Sequence, residues 1–196
     1  MTAPNVSGYN AKWHEGGYLA GIVAAKTTKS NLIGFVGAYP VPDVMWYLNG
    51  FAHGARSVNS KATVRAVFVN SWSDPSKEVD ATNALLNQGV DVMTHYTNSP
   101  AVVSTADARN VATISFHSDM RKYATKHYLT GVTHEWGGYY TKMVSEALAG
   151  HCKGALYFGG IKEGNIKLAP MTSWVPKDVA ELVEAKRKDI ENGRLN

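Results

Sequence analysis

The feature that most constrains this chain is an alternation. Four short apolar, β-rich runs, at residues 32–36, 64–69, 90–93 and 111–116, alternate with helical patterns. The first intervening helix presents Val44, Leu48, Phe51, Ala52, Ala55 and Val58 as a stripe of 3.6-residue period. The second presents Ala81, Ala84 and Leu85. Asp74-Pro75 ahead of it reads as an N-cap followed by proline at the first helical position. Gly89 reads as its C-terminal stop. The third opens at Ser99-Pro100 and runs through Ala106 to Arg109. Strands joined in this way by helices form a parallel sheet with right-handed crossovers. The expected class is therefore α/β, with helices on both faces of a parallel sheet.

The flanks are less regular. A helix is expected at residues 12–26, before the first of the four strands. A short apolar run at 129–132 precedes a helix carrying Tyr140, Met143, Val144, Ala147 and Leu148. Two short strand candidates follow at 155–158 and 165–168, with Gly159, Gly160 and Gly164 between or beside them. A last helix carries Val179, Leu182, Val183 and Ile190. The helices at 12–26 and 137–148 have apolar faces but no evident place on a four-stranded sheet. Either they pack on that sheet, or they belong to a second lobe.

Composition narrows the function. The chain is 44% hydrophobic and 18% charged, and its +4 charge comes from 20 basic and 16 acidic residues spread along 196 positions. No Lys/Arg cluster with interleaved aromatics offers a nucleic-acid surface. One cysteine, Cys152, excludes an internal disulfide framework and reads as a small packing residue. No apolar run approaches the roughly 20 residues of a membrane helix. Residues 1–5 lead into the fold with none of the regions of a signal peptide.

Catalytic motifs fail one by one. His134-Glu135-Trp136-Gly137-Gly138 begins like a zinc-protease helix but has glycine where the second histidine must stand. His95, His117 and His134 fall near predicted strand ends and read as three separate polar residues at a sheet rim. No metal and no cofactor is expected. There is no Gly-x-Ser-x-Gly elbow. Gly34 and Gly37 lack the third glycine of a dinucleotide fingerprint, and Pro40 and Pro42 intrude where amides would cradle phosphate. No enzyme is expected.

What remains is a rim of polar and aromatic groups at the strand ends, as in a small-molecule cleft. Gly37 and Tyr39 follow the first strand, Trp72 the second, Tyr96 the third, and His117 and Asp119 the fourth. Trp72 offers a stacking face, and Asp119 an acceptor for hydroxyls or a base amine. Each has a structural alternative: Trp72 and Tyr39 as covers of the sheet edge, Asp119 as the cap of the turn at Met120-Arg121.

These segments in order resemble the basic membrane protein (BMP) family of ABC-transporter solute-binding lipoproteins. The resemblance rests on Tyr18-Leu-Ala-Gly-Ile-Val-Ala-Ala25, Thr28-Lys-Ser-Asn-Leu-Ile-Gly-Phe-Val-Gly37, Asn49-Gly-Phe-Ala-His-Gly-Ala-Arg-Ser-Val-Asn59 and Trp72-Ser-Asp-Pro-Ser-Lys-Glu78. Gly89-Val-Asp-Val92, Ser118-Asp-Met120, His127-Tyr-Leu-Thr130 and Trp136-Gly-Gly-Tyr-Tyr140 extend it over nearly the whole chain. It implies a type I periplasmic binding protein fold, with two α/β lobes joined by hinge strands. Residues 1–30 would be a remnant of the first lobe, 31–128 the second lobe, 129–152 a hinge crossing with a first-lobe helix, and 153–196 the return to the second lobe. The first lobe would then be incomplete and the chain a fragment.

The resemblance further implies a purine nucleoside, nucleobase or similar metabolite as ligand, an ABC permease as membrane partner, no nucleic-acid partner, and a place outside the cytoplasmic membrane. Gly37, Tyr39, Trp72, Tyr96, His117, Asp119 and His134 are the ligand-binding expectation, with Trp72 at the position of the family's stacking aromatic. His134 stands where nucleoside-binding members have lysine. The alternative is the ligand-sensing effector domain of a transcriptional regulator with the same fold. As a fragment, the chain is expected to expose the apolar faces of helices 12–26 and 137–148 and to bind purines weakly.

Overall fold

The computed structural model describes residues 6–151 and 153–195, so residues 1–5, Cys152 and Asn196 lie outside the described residues. The elements run β1 (Gly8–Ala11), α1 (Trp13–Thr27), β2 (Leu32–Gly37), α2 (Pro42–Val58), β3 (Thr63–Phe68), α3 (Pro75–Leu86), β4 (Val92–Tyr96), α4 (Ala101–Ala108) and β5 (Ala112–His117). Then come β6 (Tyr128–His134), α5 (Gly137–Leu148), β7 (Leu156–Gly159), β8 (Ile166–Leu168) and α6 (Lys177–Glu191). Six strands form one sheet in the order β3-β2-β4-β5-β6-β8, parallel except for β8. The central strands β2 and β4 are almost wholly buried, as the continuous apolar runs of a covered parallel sheet require. The edge strand β3 carries Arg65 toward water.

The local signals act as the sequence suggests. The Asp74 carboxylate accepts from Lys77 N at 3.1 Å, and Pro75 opens α3. After α3, Gly89 takes φ +87°, a left-handed conformation that glycine adopts without strain. The turn continues through Val90 and Asp91, whose carboxylate accepts from Lys29 N and Ser30 N. β4 therefore starts at Val92 and runs to Tyr96, further along than the apolar run at 90–93 indicates.

The expectation that α1 exposes an apolar face is corrected by its packing. It lies along α2 and also meets α6 and β6, and most of its residues are buried. Two glycine pairs permit the close approach: Gly17 and Gly21 on α1, Gly50 and Gly54 on α2. A Cβ on Gly21 would stand 2.0 Å from Phe51 O, and one on Gly54 would stand 1.9 Å from Tyr18 O. The two backbones touch where side chains would otherwise keep them apart. Leu19, Ile22 and Val23 are thereby drawn into the core beside Tyr47 and Phe51.

Outside this layer, β1 and β7 pair in parallel as a separate two-stranded sheet, and α5 has no buried residue. Leu148 is 85% exposed, and Val144, Leu156 and Phe158 also face water. The apolar face of α5 is exposed, as expected. The chain crosses between the two sheets at Lys12, at Glu135 and at Gly159-Gly160. Lys12 N donates to Gly159 O, Ile161 N donates to the buried Glu15 carboxylate, and the Asn165 side chain donates to Glu135 O.

The glycine seam makes a direct prediction. Gly54→Val should lower the stability of the chain by about 1–3 kcal/mol, the scale of overpacking a tight interface. Gly138→Ala is the control, because a Cβ there meets nothing within 4 Å. Urea denaturation should show a lowered midpoint for the first and none for the second.

Candidate functional site

The site lies where the topology divides. From β2 the chain turns to one side for β3 and to the other for β4, and a ligand crevice opens at the carboxyl ends of strands at such a point. Gly37 pairs with both Tyr96 and Phe68, so β2 ends level with its neighbours. The Gly37 position cannot take a side chain: a Cβ would press on the rings of Phe35 and Phe68 at 2.7–2.8 Å. β2 therefore ends in bare backbone.

Trp72 stands above this point. It is 44% exposed, and its ring lies 5.3 Å from that of Tyr39. The ring is not packed beneath a helix. Its loop is held by a hydrogen bond from Asn98 N to Trp72 O (2.8 Å). The two loops are further joined through Glu78. This wholly buried carboxylate accepts from Thr97 Oγ1 (2.9 Å), Ser99 Oγ (2.7 Å) and Asp74 N (3.3 Å).

The same network fixes His95. Thr97 Oγ1 donates to Glu78, so it accepts from His95 Nδ1 at 3.2 Å. His95 Nε2 is thereby the acceptor for Phe116 N at 3.3 Å. The ladder between β4 and β5 ends at Thr94 and Ile114, and the His95 ring takes over the β5 amide beyond it. Complete burial pushes the His95 imidazole down to about 4, so it is neutral at physiological pH.

His117 follows, at φ +70°, a sparsely populated conformation for a residue with a Cβ. Its Nδ1 lies 3.3 Å from His134 Nε2, and the rings are nearly perpendicular. Burial, with His134 and His95 adding to it, pushes His117 down to about 3, and burial also lowers His134. The reading of three separate rim histidines is thus corrected. His117 and His134 are hydrogen-bond partners, and His95 is sealed behind them. Among the described residues no three His, Cys, Asp or Glu groups converge as metal ligands.

The structure places the remaining expected residues less centrally. Tyr96 is the last residue of β4, only 4% exposed and stacked on Phe116 at 4.0 Å. Asp119 caps its own turn: its carboxylate accepts from Arg121 Nε (2.8 Å) and Arg121 N (3.1 Å), and Arg121 also donates to Pro170 O. These bonds, over the opposing effect of burial, hold the Asp119 carboxyl below the usual carboxylate range.

Sequence reasoning missed Trp13. It sits at the start of α1 with its ring edge-on to Tyr96, Phe116, His117 and His134, at 5.3–6.1 Å. Its Nε1 donates to Asn10 Oδ1, and the Asn10 side chain donates to Asp43. The signal available was a tryptophan at the very start of the helix expected at 12–26.

An exposed aromatic pair, a bare backbone edge and hydrogen-bonding rings of lowered basicity thus stand at the strand ends of this sheet. The profile of the Bmp family, described as ABC transporter substrate-binding protein PnrA-like, matches residues 2–195. This chain belongs to that family. A purine-binding protein of Brucella abortus is 43% identical over the full chain, which spans 55% of that relative. A Haloferax volcanii protein named for glucose binding is 32% identical, again over the full chain and 50% of the relative. The chain thus spans about half the length of these Bmp-family relatives. The crystal structure of an ABC transporter solute-binding protein from Aeropyrum pernix K1 has a TM-score of 0.86 at 17% identity, covering all of this chain and 67% of that one. The fold is that of the type I periplasmic binding proteins.

For this Bmp-family chain the buried histidine sets a pH dependence. An unfolded histidine titrates near 6.5, but folded His95 does so at about 4. Between these values the unfolded chain binds the extra proton, so stability falls as pH falls. The decline should approach about 1.4 kcal/mol per pH unit from His95 alone, starting below pH ~6.5. Urea midpoints of the wild type and His95→Gln between pH 7.5 and 4.5 check this. The variant should show the shallower decline.

Proposed function

We propose that this chain supplies the solute-binding site of an ABC importer and that the solute is a purine-like base. The observations carrying this reading are the exposed Trp72–Tyr39 aromatic pair and the His117–His134 pair, both at carboxyl ends of strands of the one six-stranded sheet. The rings supply a stacking surface, worth about 1–3 kcal/mol per base. The histidines supply hydrogen bonds without charge, which suits a neutral heterocycle. Gly37, with only hydrogen beyond its Cα, forms the floor, and Tyr96 backs it from the core wall. Asp119, already engaged by Arg121, lies outside the contact set in this reading.

The name of the Brucella abortus relative supports a purine, whereas the Haloferax volcanii relative is named for a sugar. An exposed tryptophan can stack on either, but the hydrogen-bonding groups differ. A sugar site calls for charged or amide groups that bind several hydroxyls, and the carboxylates near this crevice, Asp43 and Asp119, are already bonded to Asn10 and Arg121. In this reading the protein works outside the cytoplasmic membrane, hands its solute to a permease and catalyses nothing. No helix of the described residues is long and apolar enough to cross a membrane, so anchoring is not assigned to them.

Calorimetry with adenine, a purine nucleoside and glucose tests the proposal. Adenine should bind and glucose should not. Trp72→Ala should weaken adenine binding by about 1–3 kcal/mol. Glucose binding in preference to every purine would sink the reading.

A further inference from the structure

His117 and His134 share one hydrogen bond, between Nδ1 of the first and Nε2 of the second. A neutral imidazole carries one proton on one of its two nitrogens. If His117 Nδ1 donates, His117 Nε2 is bare and His134 must carry its proton on Nδ1. If His134 Nε2 donates, His134 Nδ1 is bare and His117 carries its proton on Nε2. In both cases the pair offers one donor and one acceptor at its outer nitrogens. The two states differ only in which ring holds which role.

Both outer nitrogens are available. Among the described residues neither His117 Nε2 nor His134 Nδ1 has a protein hydrogen-bond partner. The only sealed, unpartnered side-chain polar atoms among those residues are Thr113 Oγ1 and His127 Nδ1, so the outer nitrogens reach solvent. By contrast His95 is fixed in one tautomer by Thr97 and Phe116. No carboxylate is bonded to either member of the outer pair to lock it the same way.

We propose that the His117–His134 pair is a reversible donor–acceptor adaptor that lets one site read neutral heterocycles of opposite hydrogen-bonding polarity. The proposal rests on the purine-like reading of the site. Adenine presents an amino donor beside a ring-nitrogen acceptor; hypoxanthine presents an oxo acceptor beside a ring N–H donor. A fixed donor or acceptor favours one of them and leaves an unmatched group against the other, which is strongly penalised once buried. The adaptor avoids that mismatch. A proton passes from His117 Nδ1 to His134 Nε2 across their hydrogen bond. His134 Nδ1 releases one to solvent and His117 Nε2 takes one up, so the charge of the pair is unchanged. The low basicity of both rings keeps the pair from holding an extra proton, which would leave two donors and no acceptor.

The test uses the 196-residue chain with its histidine ring nitrogens labelled by ¹⁵N, whose chemical shifts report which nitrogen is protonated. Wild-type affinities for adenine and hypoxanthine should agree within about tenfold, and the protonated outer nitrogen should change from one ring to the other between the two complexes. His134→Lys supplies donors only, so it should lock His117 in one tautomer and separate the two affinities by more than about tenfold. The same protonated nitrogen in both complexes, or two protonated outer nitrogens, would overturn the adaptor. If neither base binds, the purine reading falls. The spectrum of the free chain then decides the adaptor alone: exchange between two tautomers upholds it, and a single fixed tautomer refutes it.

Discussion

The contact on which the rest depends is the backbone-to-backbone crossing of α1 and α2. Four glycines, Gly17, Gly21, Gly50 and Gly54, let the helices approach until a carbonyl of one occupies the place of a missing Cβ on the other. Close approach brings the buried faces of both helices onto the same side of the sheet, where Leu19, Ile22, Tyr47 and Phe51 share one core. It also sets the position of the amino end of α1. Trp13 stands there, held by Asn10, and its buried ring packs edge-on against Tyr96, Phe116, His117 and His134. The helix–helix contact, which reaches His14 at Gly50, thus places the neighbouring Trp13 at the site.

The second constraint is polar. Glu78, Thr97 and His95 form a buried line from the first turn of α3, through the loop after β4, to the β5 backbone. Buried polar groups are tolerable only when each is satisfied, and here each is. The consequence is directional. Thr97 has one proton to give and gives it to Glu78, which leaves His95 a single tautomer. His95 then holds Phe116 N and so positions the next residue, His117, in its left-handed conformation. The loop carrying Trp72 and the strand end carrying His117 are set by one network, although they stand on different elements.

The sheet was legible because its signals are local. Each of the four apolar runs became a strand, and the Asp74-Pro75 pair capped α3 through the Lys77 amide as its side-chain chemistry implies. The strand at 90–93 shifted because Asp91 is held in a turn by the amides of Lys29 and Ser30, residues far away in sequence. The placement of α1 was not legible from its apolar face, which states only that it must be buried. The glycine spacing in both helices carried that information, read as a pair rather than one helix at a time. The exposure of Trp72 was legible because an aromatic between a strand and a proline-started helix is visible in sequence. The His117–His134 contact was not, because it joins two strand ends whose adjacency only the sheet order supplies. Asp119 and Tyr96 show the opposite failure. The first is bonded within its own turn and the second is buried in the core wall, so their residue types suggested more exposure than their neighbours allow.

The same geometry ties the site to the chain crossings. His134 is the last residue of β6, and Glu135 immediately begins the passage to α5. Glu135 N donates to Asn165 O, and Asn165 Nδ2 returns a bond to Glu135 O, so this crossing is clasped to the turn between β7 and β8. That turn contains Gly160, where a Cβ would strike the Glu15 carboxylate, and Glu15 in turn accepts from Ile161 N. Glu15 stands two residues from Trp13. Any rotation of the β1–β7 sheet and α5 about the six-stranded sheet must therefore act on His134 from one side and on Trp13 from the other. These two rings meet edge-on at 5.6 Å. The outer histidine of the site is placed by the crossings, and the inner one, His95, by the sheet core.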